Sequence, residues 1–284
     1  MNKKIAVIVI TYNRLELIKK VIAGIRSQTH KLDIIYVINN SSTDGTDKWL
    51  AEQKDLMVIM QTNTGSSGGQ YIGFRTAFEA GYDYIWTMDD DVVPEENCLE
   101  ILLRNIDEST IHAPLRYKPD GKPYFNDVLS YNLTNPFISF WKGIISESDL
   151  INPVIAAVGI TFEGPLVPRE VVEKVGFPEK NFFIYGDDTE YFIRAWKAGF
   201  KIYIVRDAKL NRLLEMPSNE VFTWKHYYFV RNIIAIDVLH GDLFVRVLRP
   251  IGYLLKWLAK CKAANEFKTV VKAFFNGYFY KSGN

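Results

Sequence analysis

The feature that most constrains this chain is an alternation of strand-like and helix-like segments, joined by short polar links, over about its first 90 residues. Ile5–Thr11 is a β-rich apolar run of strand length that ends in a polar loop. Leu15, Ile18, Val21, Ile22 and Ile25 then recur at helical spacing. Asp33–Ile38 reads as a second strand, closed by Asn39-Asn40-Ser41-Ser42, and Thr43 is placed to cap a helix carrying Trp49 and Leu50. Met57–Gln61 is a third strand. A Gly/Ser loop over Asn63–Gly69 leads to a helix through Ala80, and Tyr84–Met88 is a fourth strand. Such alternation predicts an α/β fold, a mostly parallel sheet with helices on both faces. Ligands of such sheets gather beyond the carboxyl ends of the strands. The polar clusters at Thr11–Arg14, Asn39–Gly45, Asn63–Gly69 and Asp89–Asp91 all fall there.

The middle is less regular. Leu115–Pro153 mixes Pro, Gly, Asn and aromatics with little periodicity and predicts long loops or an acceptor-side insert. Ala156–Phe162 reads as a strand, Arg169–Val175 as a short helix, and Glu190–Ala198 as a helix stopped by Gly199. Lys201–Val205 reads as a strand and Val221–Leu239 as a long helix, and Gly241-Asp242 opens a different region. These segments divide the chain into a main domain over 1–240, with a nucleotide-binding half at 1–115 and an acceptor-side half at 116–240, and a basic helical tail over 241–284.

Trp86-Thr87-Met88-Asp89-Asp90-Asp91 places three carboxylates at the end of an apolar strand. Strand alternation sends Asp89 and Asp91 to one side and Asp90 to the other. Two converging carboxylates repel unless a cation lies between them. With Mg²⁺ or Mn²⁺ they form a hard-oxygen site that leaves positions free for substrate phosphates. A solvated acidic turn is the plainer alternative, but the apolar approach favours the metal.

Asn181–Tyr191 sets four apolar side chains ahead of an acidic turn that starts a helix. Acidic residues there complement the helix dipole. One carboxylate beside an aromatic wall also suits a general base for an acceptor hydroxyl. Spacing alone leaves both readings open.

Taken together, VIVITYNR at 7–14, NNSSTDGT at 39–46, NTGSSGGQYIG at 63–73, MDDDV at 88–92 and the segment from FEGPLVPRE to WKAGF at 162–200 resemble the family-2 inverting glycosyltransferases of GT-A fold, over about residues 5–235. The triple Asp after the NTGSSGG loop looks most like the galactofuranosyl- and rhamnosyltransferase branch. That resemblance implies a nucleotide-sugar donor, a Mn²⁺ or Mg²⁺ cofactor and a glycan or lipid-linked acceptor in polysaccharide synthesis. UDP-galactofuranose is the first choice of donor and dTDP-rhamnose the second; acceptor, linkage and oligomeric state stay open. It also implies that Thr11, Tyr12, Asn13, Arg14 and Asn39 serve the nucleoside pocket, with Asn63, Gly68 and Gly69 near the donor. Asp89 and Asp91 would hold the metal, Asp90 would face the donor sugar or ribose, and Asp188 would be the catalytic base. Gly164 and its neighbours would approach the acceptor, and Arg194 would support the acidic loop. Two departures stand out. Many relatives carry Asp where this chain has Asn39, although an amide can still accept from a pyrimidine N3–H. Relatives often carry a metal-binding His about where Asn211 stands, which leaves Asn211 or His226 for the third ligand.

Charge is uneven. From Leu243 onward eight Lys/Arg accompany one Glu, while the rest carries 26 basic and 32 acidic residues. Arg249, Lys256 and Lys260 fall on one helical face of this apolar and basic tail, and Pro250 is placed to open its second helix. Such amphipathic helices can lie in a membrane interface. No apolar run approaches the roughly 20 residues of a spanning helix. Cys98 and Cys261 have no metal-ligand spacing and suit a reducing compartment. The expected location is cytoplasmic, peripheral on the inner face of the cell membrane. Nucleic acid is a poor partner for an acidic main domain without a stacking platform. A nicotinamide enzyme is disfavoured because the Gly-rich loop follows the third strand and lacks GxGxxG spacing. A catalytically silent sugar-nucleotide-binding assembly subunit is the remaining rival, and the three acids at 89, 91 and 188 argue against it.

Overall fold

The structure, a computed structural model, describes residues 3–104, 106–215 and 222–283. Its strands are β1 (Ile5–Thr11), β2 (Ile34–Asn39), β3 (Leu56–Met60), β4 (Tyr84–Asp89), β5 (Val92–Pro94), β6 (Thr110–Tyr117), β7 (Pro123–Tyr124), β8 (Leu129–Tyr131), β9 (Trp141–Gly143), β10 (Val154–Ala157), β11 (Leu166–Pro168) and β12 (Lys201–Arg212). The helices are α1 (Leu15–Arg26), α2 (Thr46–Ala51), α3 (Gly65–Glu79), α4 (Cys98–Leu103), α5 (Arg169–Val175), α6 (Asp187–Lys197), α7 (Lys225–His240), α8 (Leu243–Leu258) and α9 (Ala264–Tyr278).

One large sheet runs in the order β10-β12-β6-β11-β4-β1-β2-β3. β3, β2, β1 and β4 are parallel neighbours, as expected. β6 and β12 are also parallel, whereas β11 runs antiparallel to both β4 and β6. The period-2 alternation of β1 shows why helices cover both faces. Ile5, Val7 and Val9 pack with Ile18, Val21 and Ile22 of α1 on one side. Ala6, Ile8 and Ile10 pack with Phe74 and Ala77 of α3 on the other. A Cβ on Gly73 would press into Ile8, and one on Gly69 would stand 2.7 Å from Ile10 Cγ2, so small residues let α3 lie directly on the strand.

Several elements differ from the sequence expectations. α2 is capped by Gly45 in the left-handed region, not by Thr43. Asp44 instead accepts from the Leu15 and Thr46 amides and joins the starts of α1 and α2. α3 begins at Gly65, so the Gly/Ser stretch is its first turn and not a loop. β6 and the short strands β7–β9 occupy much of the segment read as irregular. Only the start of Ala156–Phe162 is strand, in β10, and β12 extends to Arg212. α7 starts at Lys225, and Val221, where that helix was expected to begin, lies outside the described residues.

The last three helices share a third core. Val230, Ile234 and Ile236 of α7 and Ala273 of α9 cluster with Leu133, Phe140, Phe182 and Ile193. Pro250 lies inside α8 instead of opening it. Arg249 is no part of an exposed basic face: it is buried and paired with Asp237 of α7 at 2.9 Å. Removing one member of such a buried pair costs about 3–5 kcal/mol, so α8 is fixed to the main body.

Candidate active site

A cleft of about 880 Å³ opens beyond the carboxyl ends of β1 and β4, walled on its far side by the residues around α6 and the start of α7. Asp89, the last residue of β4, enters it beside Asp90 and Asp91, which form the following turn. Antiparallel pairing of β11 with β4 brings the residue just before Gly164 alongside. The Gly164 amide donates to the Thr87 carbonyl, and the buried Trp86 indole N–H donates to the Gly164 carbonyl at 2.9 Å. Gly164 itself is a packing residue at φ +87°, where a Cβ would stand 2.7 Å from Pro114 Cγ. Thr161, Phe162 and Glu163 line the cleft instead.

The result is a cluster that strand alternation described only in part. Carboxylate oxygens of Asp89, Asp91 and Glu163 lie within 4.8 Å of one another. Asp90 turns away: it accepts from Thr11 Oγ1 at 2.8 Å, the Tyr12 amide at 3.3 Å and Arg14 Nη1 at 2.9 Å. The same Arg14 nitrogen lies 2.7 Å from Asp91. Glu163 is held by the buried Arg116 and Arg212 guanidinium groups at 2.9 and 2.7 Å. Burial and the neighbouring Asp91, Glu163 and Asp90 charges push the Asp89 carboxyl well above its usual range. Burial raises Asp90 to about 6, opposed by Arg14 and Thr11. Glu163 is lowered despite its burial, because Arg116 and Arg212 favour its charged form.

This donor set fits a hard divalent cation: three oxygen ligands converge, and Asp89 carries a like-charge burden that such an ion relieves. Neither Asn211 nor His226 supplies the third side chain. Asn211 lies within β12 opposite Val93 and Tyr117, and His226 Nδ1 accepts from the Thr223 amide. Glu163, Arg116 and Arg212 were missed because only the β4–β11–β6–β12 pairing brings them together. The one sequence signal was an acid beside the glycine at 164.

Across the cleft, α6 begins earlier than expected, at Asp187, capped by Gly186 in the left-handed region. Asp188 therefore occupies its first turn and faces the cleft. Burial and the adjacent Asp187 charge raise the Asp188 carboxyl to about 8. Burial raises Asp187 to about 6, opposed by backbone donors and the Ser67 hydroxyl. The loop before α6 holds two non-glycine residues at positive φ, Phe183 at 66° and Tyr185 at 68°. Such conformations cost about 1–3 kcal/mol each and persist where surrounding structure enforces them. Here α7 enforces them. The buried Asn232 amide donates to the carbonyls of Phe182, Ile184 and Tyr185 at 3.0, 2.9 and 2.7 Å, and Arg231 donates to those of Asn181 and Phe182. Neither was legible in the sequence. From the donor side, the Ser67 amide donates to the Phe183 carbonyl, and a Cβ on Gly65 would overlap that same oxygen.

Of the donor-side candidates, Thr11, Tyr12, Arg14 and Asn63 line the cleft, joined by Asn40, Gly65 and Gln70. Asn13 sits behind it at φ 52°, accepting from the Thr43 amide. Asn39 is buried with its amide oxygen accepting from the Ser42 N–H, so the group left without a protein partner is its Nδ2 donor. An oxygen already engaged there is not free for a pyrimidine N3–H, and the free donor matches a carbonyl oxygen instead. Gly68 and Gly69 are not in the cleft wall; a Cβ would meet Thr64 at the first and Ile10 at the second. Arg194 pairs with Glu190 at 2.8 Å and also donates to the Val175 and Phe177 carbonyls, so it ties α6 to the chain after α5. Trp141, Tyr185, Trp224 and Phe229 give the acceptor side an aromatic lining.

The sequence model described as "Glycosyl transferase family 2" matches residues 6–149, just over half of the chain. Galactofuranosyltransferase GlfT1 of Mycolicibacterium smegmatis is 24% identical over 210 residues, covering 69% of this chain and 66% of that protein. The dTDP-rhamnosyl transferase RfbF of Shigella flexneri is 25% identical over 247 residues, covering 83% and 80%. Among solved structures, GalNAc-T7 with UDP, GalNAc and Mn²⁺ superposes with a TM-score of 0.68 at 13% identity, covering 95% of this chain and 54% of that one. S. aureus TarS 1-349 in complex with UDP-GlcNAc gives 0.61 at 14% identity, covering 97% and 81%. This chain thus spans about two thirds of GlfT1 and about half of the GalNAc-T7 chain.

Proposed function

The chain belongs to glycosyl transferase family 2 and carries the GT-A fold, and on that premise we propose that it is an inverting, metal-dependent glycosyltransferase. It moves a sugar from a nucleoside diphosphate donor to a hydroxyl of a glycan or lipid-linked acceptor in cell-surface polysaccharide synthesis. UDP-galactofuranose is the favoured donor and dTDP-rhamnose the second; the similarity to GlfT1 and RfbF supports that pair. The observation that carries the reading is that the Asp89–Asp91–Glu163 cluster and Asp188 open onto one cleft from opposite walls.

Asp89, Asp91 and Glu163 would hold Mn²⁺ or Mg²⁺, which supplies positive charge to the diphosphate leaving group. Arg14, Thr11 and the Tyr12 amide fix Asp90 at the donor side, while Asn63 and Gln70 line the neighbouring wall. Asp188 takes the proton from the acceptor hydroxyl as its oxygen attacks the anomeric carbon opposite the nucleotide. A carboxylate titrating near 8 is a stronger base than an ordinary one, and its fixed place contributes typically 10²–10⁴-fold. One displacement by one base inverts the anomeric centre without a covalent intermediate. The aromatic side chains exclude water and offer flat apolar surfaces to sugar rings.

The setting we assign is the cytoplasmic face of a membrane, reached peripherally; among the described residues no helix is long and apolar enough to cross one. A panel of nucleotide sugars with and without Mn²⁺, read by nucleoside diphosphate release and by the product's anomeric configuration, tests the activity. Turnover unaffected by exhaustive chelation, or a retained configuration, refutes the mechanism.

A further inference from the structure

The helices α8 and α9 are packed on α7 along one side only. α8 uses Val245, Arg249 and Pro250, and α9 uses Val270, Ala273 and Gly277. The opposite face of α8 is apolar along its length: Leu243 is 73% exposed, Phe244 67% and Leu255 63%, with Val247, Leu248 and Ile251 between them. The outer face of α9 repeats this at four-residue intervals through Phe267, Val271, Phe275 and Phe279. A water-exposed row of this kind forgoes about 25 cal/mol for every Å² it could bury.

Charge distinguishes the kind of surface that would cover it. Arg246, Lys256, Lys260, Lys262, Lys268, Lys272 and Lys281 are all exposed, Glu266 is the only acid in the segment, and Arg249 is already neutralised by Asp237. Lys268 and Lys272 stand on the turns beside Phe267, Val271 and Phe275. Apolar rows edged by lysine suit the boundary between acyl chains and anionic headgroups. The face also leads to the cleft. Trp257 of α8 packs against Phe229, with ring centroids 5.9 Å apart, and Phe229 packs against the cleft residues Tyr185 and Trp141 at 6.1 and 6.2 Å.

We propose that α8 and α9 form a docking face for an anionic lipid bilayer, and that the acceptor is an amphiphile entering beside Trp257, Phe229 and Tyr185. Its hydroxyl-bearing head reaches Asp188 while its apolar part stays at the bilayer. The acceptor half of this inference rests on reading the chain as a glycosyltransferase; the docking half does not.

The experiment is co-sedimentation of the full chain with phosphatidylcholine vesicles, with and without phosphatidylglycerol, alongside light scattering in solution. The wild-type chain is expected to be monomeric and to sediment with the anionic vesicles. Phe244→Glu with Leu255→Glu, Phe275→Glu with Phe279→Glu, and Lys268→Glu with Lys272→Glu should each reduce binding at least about tenfold, since each cation at such a surface is worth about 1 kcal/mol. All six positions are solvent-exposed, so unchanged circular dichroism and melting should accompany the loss. The same variants should lose transfer to a vesicle-embedded acceptor and keep transfer to a short-tailed soluble one. Wild-type chain left in the supernatant overturns docking even if transfer proceeds, and so does a dimer abolished by the Phe and Leu substitutions, which assigns the face to a second copy. Sedimentation without transfer from any nucleotide sugar leaves docking standing and refutes the enzymatic reading.

Discussion

Asn232 Nδ2 stands 2.7 Å from the Tyr185 carbonyl oxygen, so an amide on α7 fixes the backbone that delivers Asp188 to the cleft. The same nitrogen reaches the carbonyls of Phe182 and Ile184, and the loop it holds contains both residues at positive φ near the base.

Asn232→Leu should therefore act on catalysis through geometry. It removes the donor shared by three carbonyls, and a buried acceptor left unpaired costs about 1–3 kcal/mol. Melting temperature should fall modestly and kcat by about 10²-fold, the penalty of a misplaced reacting group, with little change in donor KM. A variant with normal kcat would show that the loop is held by other contacts.

Asp188→Asn should cut turnover by about 10²–10⁴-fold while leaving nucleotide binding intact. The wild-type pH profile carries the same information. Because burial and Asp187 raise Asp188 to about 8, kcat/KM should climb as pH rises toward that value and then level. Its contribution to stability runs the other way: a raised carboxyl pKa favours the fold at low pH and loses that benefit as pH passes through the folded value. Activity already flat at about pH 6 would remove Asp188 as the base.

Glu163→Gln should be the costliest change in the cluster for stability. It leaves two buried guanidinium groups without their shared carboxylate, a loss of about 3–5 kcal/mol measured by denaturant unfolding. Asp89→Asn should behave oppositely, relieving repulsion on a buried acid and raising the melting temperature of metal-free protein. It should also weaken Mn²⁺ binding by about 10–100-fold in calorimetry. Equal Mn²⁺ affinity in wild type and Asp89→Asn would place the ion elsewhere.

Gly65→Ala should disturb both walls of the cleft. The residue has φ +76°, and its Cβ would overlap the Phe183 carbonyl and stand 2.8 Å from the Phe183 ring. The positive φ alone costs about 1 kcal/mol for alanine, and the overlap adds to it. Lower thermal stability together with lower kcat is expected; wild-type values for both would mean that the loop shifts freely.

The first four strands, α1 and α5 were legible because their apolar residues follow a clean period of 2 or 3.6 and their ends carry turn chemistry. β6 and β11 were not. β11 is only three residues long, and β6 carries His112 and Arg116 inward, so its pattern does not read as apolar. The acids at 89, 91 and 188 were found as local runs. Glu163, Asn232 and Arg231 act through contacts between distant segments, which no local spacing encodes. Gly68 and Gly69 sat in a motif, but local sequence does not say which glycine meets a ligand and which meets a strand.

The contact between Gly65 and Phe183 bears on how this scaffold can be recombined. The start of α3 and the loop before α6 are far apart in the chain, yet their main chains meet without room for a methyl group. A chimera that imports the acceptor-side half from a relative must bring a compatible first turn of α3 with it. Crossovers drawn at the midpoint of the chain would separate two pieces of backbone that fit only each other.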